Sequence, residues 1–277
     1  MPALDFVARP AGSGSLEVEV VAGMSAVTGC GSASPLRILT PRERGGSVWA
    51  YLSSFGGGLV AGDDIAVTVR VGEGARCYLG TQASTKVFKG PKQSRQQLRA
   101  EVKSGALLVL APDPVQAFAS ANYRQSQEFR LANDASLVVV DWFSSGRVAR
   151  GERWAFNRYE SRNEIFVGDR RVALDALVLD EADGPLAAPQ RMGRMNCLAT
   201  VYMLGPLVNG PAQALLAQFG QEPLEKRAQL AFAASPLASG MLLRIAGESL
   251  EAVGAQVSRA LEFCDRFLGD HPWRGKW

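Results

Sequence analysis

The chain has 277 residues, 47% of them hydrophobic and 21% charged, with a formal net charge of +3. That composition excludes a largely disordered chain, and the small net charge argues against a dedicated nucleic-acid binder. No apolar run reaches the roughly 20 residues needed to cross a bilayer, and the N-terminus lacks the basic start and apolar stretch of a signal peptide, so a cytoplasmic protein with no membrane partner is expected.

Strand signals dominate the first two-thirds. Leu16 to Val20 alternates apolar and polar residues, as does Ile65 to Val71, which runs into the turn Gly72-Glu73-Gly74. Short segments follow in close succession: ARCYLGTQ, QLRAEVKSG, ALLVLAPDP, QSQEFRLA, SLVVVDWF, RWAFNRYE, NEIFVGD and RVALDALVLD. Most are bounded by Gly, Pro, Asn or Asp. Many short strands at close intervals predict a sandwich, barrel or solenoid, and no exact internal repeat is visible. The long helices of a parallel βαβ fold are absent from this region. Asp183 to Gln190 reads as a long loop within one domain spanning residues 1–277.

The C-terminal third changes character. Gly210 to Leu230 has helical spacing, and Gly220 and Pro223 divide it into two short helices. Ser239 to Gly247 returns as a buried strand. Ser249 is placed to cap a final helix running to Phe267, stopped by Gly269. Leu250, Val253, Val257, Leu261 and Cys264 form its apolar stripe. Helices are thus expected mainly within residues 210–270.

The cysteines (Cys30, Cys77, Cys197 and Cys264) lie far apart and form no CxxC pair, which predicts reduced thiols rather than a structural zinc site. The single histidine, His271, stands in a tail expected to be mobile. A multi-histidine metal centre within this chain is excluded.

Four segments carry candidate chemistry. Gly56 to Ala61 contains GxGxxA, but a period-two strand follows where a dinucleotide fingerprint needs a helix N-terminus. Thr81 to Lys86 offers hydroxyls and a lysine without P-loop spacing. Asp63, Asp64, Asp141 and Glu152 are carboxylates beside apolar strands. They suit an acid/base pair, a weak oxygen-ligand metal site, or turn caps and salt bridges. Asp63 and Asp64 act together only if a turn redirects one of them. Asp141 to Arg147 and Arg150 to Trp154 mix aromatics with arginines, which fits a protein interface or a long connection with core tryptophans.

Taken together these segments resemble the urease accessory protein D family, called the H form in some bacteria. The resemblance rests on GGGLVAGD (56–63), TQASTKVFK (81–89), PDPV (112–115), ANYRQ (121–125) and DWFSSGRVARGERWAF (141–156), in that order. It covers about Leu36 to the C-terminal helix and is most similar to the plant and algal branch. Gly80 stands where the family often has Thr. The first 30 or so residues match nothing usable and are expected to be poorly ordered.

The resemblance implies a mainly β fold: a two-layered, β-helical, coil-like array of short strands with a few helices near the C-terminus. It implies a non-enzymatic urease-maturation chaperone that joins accessory proteins F and G, the latter a GTPase, and docks on apo-urease to support nickel delivery. No tightly bound cofactor and no tight metal site are expected, only transient nickel(II). By motif match, Asp63, Asp64, Ser84, Lys86, Asp141 and Glu152 are candidates for the nickel route. Trp142, Arg147, Arg150 and Trp154 are candidates for shaping it or for a partner surface. Two alternatives stand beside this reading: a carboxylate-dependent hydrolase on a β scaffold, and a structural scaffold without metal passage.

Overall fold

The computed structural model describes residues 9–41, 46–220, 225 and 227–273. The chain starts with the hairpin β1 (Ser13–Val21) and β2 (Met24–Ser32), followed by β3 (Leu36–Leu39) and β4 (Val48–Ser54). A run of short strands follows: β5 (Asp64–Val71), β6 (Arg76–Thr81), β7 (Thr85–Val87), β8 (Ser94–Val102), β9 (Leu107–Leu110), β10 (Val115–Ala117), β11 (Asn122–Leu131), β12 (Ser136–Ser144) and β13 (Arg158–Val167). The rest comprises β14 (Arg170–Asp180), β15 (Cys197–Leu204), α1 (Asn209–Phe219), β16 (Leu230–Leu237), β17 (Gly240–Gly247), α2 (Leu250–Ala260) and α3 (Asp265–Leu268).

Successive strands alternate between two sheets. One sheet runs β14-β13-β11-β8-β5-β1-β2, and the other runs β16-β17-β15-β12-β9-β6-β4-β3 with β7 and β10 beside β12. Within each sheet the coil strands are parallel: β5 to β8 to β11 to β13 in the first, β4 to β6 to β9 to β12 in the second. Each coil thus adds one strand to each layer, so the mainly β, two-layered, coil-like expectation holds.

The coil is closed by three turns with the same backbone hydrogen bond, the third of them without the positive φ of the other two. Ala75 N–H donates to Gly72 O, Ala106 N–H to Lys103 O and Ala135 N–H to Ala132 O, each at 3.1 Å. Gly74 and Gly105 have φ of +67° and +63° at the same turn position, where a side chain would be strained. Asp134 takes that place in the third turn and accepts from Ser104 Oγ of the turn before it, at 2.7 Å. The turns stack because RVGEGA, EVKSGA and RLANDA are one degenerate repeat, too short and too divergent to stand out by identity.

Two apolar cores result. One lies between the sheets, built from inward positions such as Leu16, Val67, Val69, Ala100, Phe129 and Ile165. Its alternation is clean in β5, where Ile65, Val67, Val69 and Val71 are buried and the residues between them are exposed. Each such side chain contributes about 1.5–3 kcal/mol. The second core lies between the far face of the second sheet and the helices, with Val140, Trp142, Val201, Leu243, Val253 and Val257.

Several expectations need correction. The residues expected to be poorly ordered at the N-terminus include β1 and most of β2, which pair with each other, and β1 extends the parallel layer through β5. Leu16 and Val18 are fully buried, which is what their alternation requires. The second helix expected before Leu230 falls partly on residues outside the described set, and Leu230 to Leu237 is a strand paired with β17. Ser249 does cap α2, accepting from Ala252 N–H at 3.3 Å. The helix ends at Ala260 rather than Phe267, and a short turn leads into α3, which Gly269 stops at φ +79°. This break keeps Leu261, Cys264 and Leu268 on one buried side.

The tail as far as Trp273 is docked rather than loose. Trp273 is 5% exposed, lies 5.5 Å from Trp142 between ring centroids, and donates to Ala111 O at 3.1 Å. His271 is held between Ser258 O and the Trp273 amide. Cys77, Cys197 and Cys264 are buried and unpaired; burial raises the Cys77 and Cys197 thiols to about 12, so neither is a ready thiolate ligand at neutral pH.

Candidate functional site

The inward face of the first sheet is not wholly apolar. Along β11, Tyr123, Gln125, Gln127 and Phe129 point inward, and along β13 so do Tyr159, Ser161, Asn163 and Ile165. The parallel register aligns Gln96, Gln125 and Ser161 in one row across the strands. Gln127, Asn163 and Asp175 form the next. The facing sheet supplies Thr81, Asp141, Thr200 and Arg244, the last three directly paired across β12, β15 and β17. A polar band therefore crosses the interlayer space perpendicular to the strands.

Asp141 is its centre. Its Oδ1 accepts from Gln125 Nε2 at 2.9 Å, and its Oδ2 accepts from Ser161 Oγ and Asn163 Nδ2, both at 2.6 Å. To one side, Thr81 Oγ1 donates to Asp113 Oδ2 at 2.8 Å and accepts from the Asp113 amide at 2.7 Å. At the other end, Asp175 accepts from Tyr202 Oη at 2.9 Å and from Arg244 at 3.0 Å. Tyr202 is held far from ionisation by burial first and by the Asp175 charge second.

Two adjoining cavities open onto this band. The larger, about 200 Å³, is lined by Ser53, Ser54, Gly57, Gln82, Ser84, Thr85 and Gln96 among others, with no ionisable side chain. The smaller, about 30 Å³, includes Asp113, Gln125, Gln127 and Asp141. Leu52, Thr81, Thr85 and Gln96 line both. The smaller has room for about two waters at most. A carboxylate pair around a sugar ring does not fit there, which argues against the glycosidase-like hydrolase.

The mouth is formed by the two motifs that bracket β5 and β6. Leu59 N–H donates to Lys86 O at 2.7 Å, and Phe88 N–H to Leu59 O at 2.9 Å. A Cβ on Gly58 would sit 2.5 Å from Lys86 O, so the glycine permits this approach. GGGLVAGD and TQASTK are two sides of one opening, not separate nucleotide and phosphate loops.

Of the six route candidates, Ser84 and Asp141 line the cavities. Asp63 accepts from the Val60 amide at 2.8 Å and caps a turn. Asp64 is exposed on the outer face of the first sheet, and Lys86 is exposed on β7. Glu152 pairs with Arg147 and accepts from the Ala119 amide at 3.2 Å, clipping the loop after β12. Arg147 also lies over the Phe118 ring at 4.1 Å, while Arg150 is exposed. Trp142 and Trp154 are 3% and 5% exposed and belong to the two cores, and Trp142 also lines the smaller cavity. Among the described residues no three His, Cys, Asp or Glu side chains group as a metal site.

The polar residues outside every quoted motif are Gln96, Gln127, Ser161 and Asn163, whereas Thr81 and Gln125 fall within TQASTKVFK and ANYRQ. Their signal is polar side chains in phase with the apolar positions of an alternating strand.

The Glu152 clip makes a pH prediction. The hydrogen bond from Arg147 holds the Glu152 carboxyl below its ordinary 4.5. Its contribution is complete above that value and is lost as pH falls through the depressed one. Hydrogen exchange at the Ala119 amide is therefore expected to accelerate as pH drops below about 4.5, relative to the intrinsic acid dependence. In Glu152→Gln this extra acceleration disappears.

A two-layered, mainly β coil with a polar band between its layers defines the class of fold. A family model described as "UreD urease accessory protein" matches residues 11–275. The chain is 50% identical to the urease accessory protein UreD of Sorangium cellulosum, covering 98% of this chain and 86% of that one. It is 36% identical to urease accessory protein D of Oryza sativa subsp. indica, with 97% of each covered, and 33% identical to that of Arabidopsis thaliana, with 94% and 99% covered. The chain belongs to the UreD urease accessory protein family. The match begins at residue 11, so the N-terminal hairpin, unassigned by motif, lies within the family's span.

Proposed function

We propose that this protein acts in urease maturation as a non-catalytic chaperone. With accessory proteins F and G it docks on apo-urease, and nickel(II) passes between its two sheets toward the urease active site. The observation that carries this reading is the polar band beside an uncharged mouth whose polar groups are hydroxyls and amides set among Leu36, Leu52, Leu59 and Ile65. Nickel(II) is bound tightly by imidazole and thiolate, so a route lined by hydroxyls, amides and one central carboxylate lets it move on. Serine, threonine and glutamine at the entrance accept hydrogen bonds from a hydrated ion without fixing it by charge. Asp141 supplies the negative charge that compensates the loss of hydration at the narrow part.

A structural scaffold without passage predicts a different outcome from one substitution. Thr85 lines both cavities, and Thr85→Trp fills the junction without removing charge. Activation is measured by reconstituting urease with F, G and nickel, and complex formation by co-purification. Intact co-purification with at least a tenfold drop in nickel-dependent activity is expected. Undiminished activation by a folded Thr85→Trp protein rejects passage through this gap.

A further inference from the structure

We propose that the rim around the mouth, formed by Phe55, Val60, Lys86, Lys89 and Lys92, is a docking surface for an acidic patch on a partner protein, and that docking removes an electrostatic barrier to cation entry. Its role rests on the proposed function; the charge and shape of the rim do not.

The rim is one contiguous edge. The loop 55–63 lies along the segment 86–95, joined by Leu59 N–H to Lys86 O and Phe88 N–H to Leu59 O. Ser94 Oγ donates to Val60 O at 2.8 Å, and Arg95 N–H donates to Asp63 O at 2.8 Å. A Cβ on Gly62 would meet Lys92 Cδ at 3.4 Å. Ser54, Gly57, Ser84 and Thr85 of the same two stretches line the larger cavity. Phe55 and Lys86 are their chain neighbours, so these side chains stand at the opening.

Phe55 and Val60 are 58% and 56% exposed, and the three lysines are exposed as well. Single exposed apolar side chains are ordinary, but two on one loop beside an opening, set among cations, have the make-up of an interface. The lysines differ from the basic residues of the outer sheet face. There Arg124 pairs with Glu160 and Arg171 with Glu164 across neighbouring strands, and Arg130 pairs with Glu128 along one. Among the described residues Lys86, Lys89 and Lys92 form no such pair. Asp63 is turned into its own loop by the Val60 amide, and Asp64 points to the outer face. Like charges left unpaired along one edge repel one another in the free chain, and carboxylates brought from outside relieve them. An acidic protein surface with an apolar centre therefore fits this rim.

The same charge acts on the cargo. Exposed charges are felt over about 8–10 Å at ordinary ionic strength. A divalent cation reaching the mouth meets the lysines before it meets Asp141, and the larger cavity offers no carboxylate to offset them. An acidic surface docked on the rim reverses that sign. Entry then waits on docking, which keeps free metal in solution out of the interlayer space.

The test changes Lys86, Lys89 and Lys92 together to glutamate. Its first readout needs no partner. Cys30→Ser removes the exposed thiol, and Thr85→Cys places one where the two cavities adjoin. The rates of this thiol with methanethiosulfonates carrying a sulfonate or a quaternary ammonium are compared. The sulfonate-to-ammonium ratio is expected to fall about tenfold in the triple variant, with the difference shrinking in about 1 M salt. An unchanged ratio overturns the barrier. The second readout is affinity for apo-urease assembled with accessory proteins F and G. It is expected to weaken at least tenfold in the triple variant, and to weaken in Phe55→Ser without a change in salt dependence. Unchanged affinity in both overturns the docking and leaves the interlayer route standing. Failure of the unsubstituted chain to assemble overturns the proposed function and the docking together. Binding to phosphatidylglycerol vesicles that the triple substitution abolishes, with assembly undiminished, assigns the rim to a membrane and overturns the protein partner.

Discussion

Asp141→Ala is expected to lower nickel-dependent urease activation by tenfold or more while leaving co-purification with urease and accessory proteins intact. Asp141 joins the two sheets at the centre of the polar band, accepting from Gln125, Ser161 and Asn163. A carboxylate within about 4 Å of a cation contributes on the order of 1–4 kcal/mol per unit charge between aqueous and protein-surface dielectrics, and about 1.4 kcal/mol is tenfold. The substitution also leaves Gln125, Ser161 and Asn163 donors unpaired at about 1–3 kcal/mol each, so stability falls too. Asp141→Asn separates the two effects. It keeps the shape and part of the hydrogen bonding but not the charge. Wild-type activation by folded Asp141→Asn shows that charge at this point is dispensable.

The largest effect on stability is expected at Trp154. Its ring packs edge-on to Phe143 and Phe156, and its Nε1 donates to Met195 O at 3.0 Å, tying the loop after β12 to the one before β15. Truncation to alanine is expected to cost about 3–5 kcal/mol, a large part of a typical domain's stability. Trp154 also has φ +55°, a left-handed conformation that costs a non-glycine residue about 1 kcal/mol. Trp154→Gly is therefore expected to lose about 1 kcal/mol less than Trp154→Ala. Urea unfolding reads both through the midpoint at constant slope, and a glycine variant less stable than the alanine one contradicts the backbone argument.

Where the sequence was readable, one physical signal governed each segment. Alternation identified β1 and β5, because one face meets the core and the other meets solvent. Ser249 marked the start of α2, because an uncapped helix leaves amides unpaired. The signal failed where two causes competed. Leu230 to Leu237 has helix-forming alanines, yet β17 offers an open edge whose hydrogen bonds decide the outcome. Trp142 and Trp154 have the composition of interface anchors, and only their burial assigns them to the cores. The three turns were visible as glycines and asparagines, but their stacking depends on which strands lie above one another.

The motifs that carried recognition mark the mouth of the interlayer space and its central carboxylate. Of its lining they include Thr81, Ser84, Asp113 and Gln125 but not Gln96 or Gln127. Asp63, Asp64, Lys86 and Glu152 stand out in the sequence because charged residues in dense motifs look functional. Three of them serve as a turn cap, a loop clip and an outward strand position, and Lys86 is simply exposed. Gln96, Gln125, Gln127, Ser161 and Asn163 do not stand out, being uncharged and scattered over β8, β11 and β13. Local patterning therefore settles strand identity, the inward or outward direction of each side chain and the helix cap, since these depend on neighbours along the chain. Register between coils alone decides which inward polar groups meet across the two layers, because hydrogen-bonded pairing between distant strands aligns them into rows.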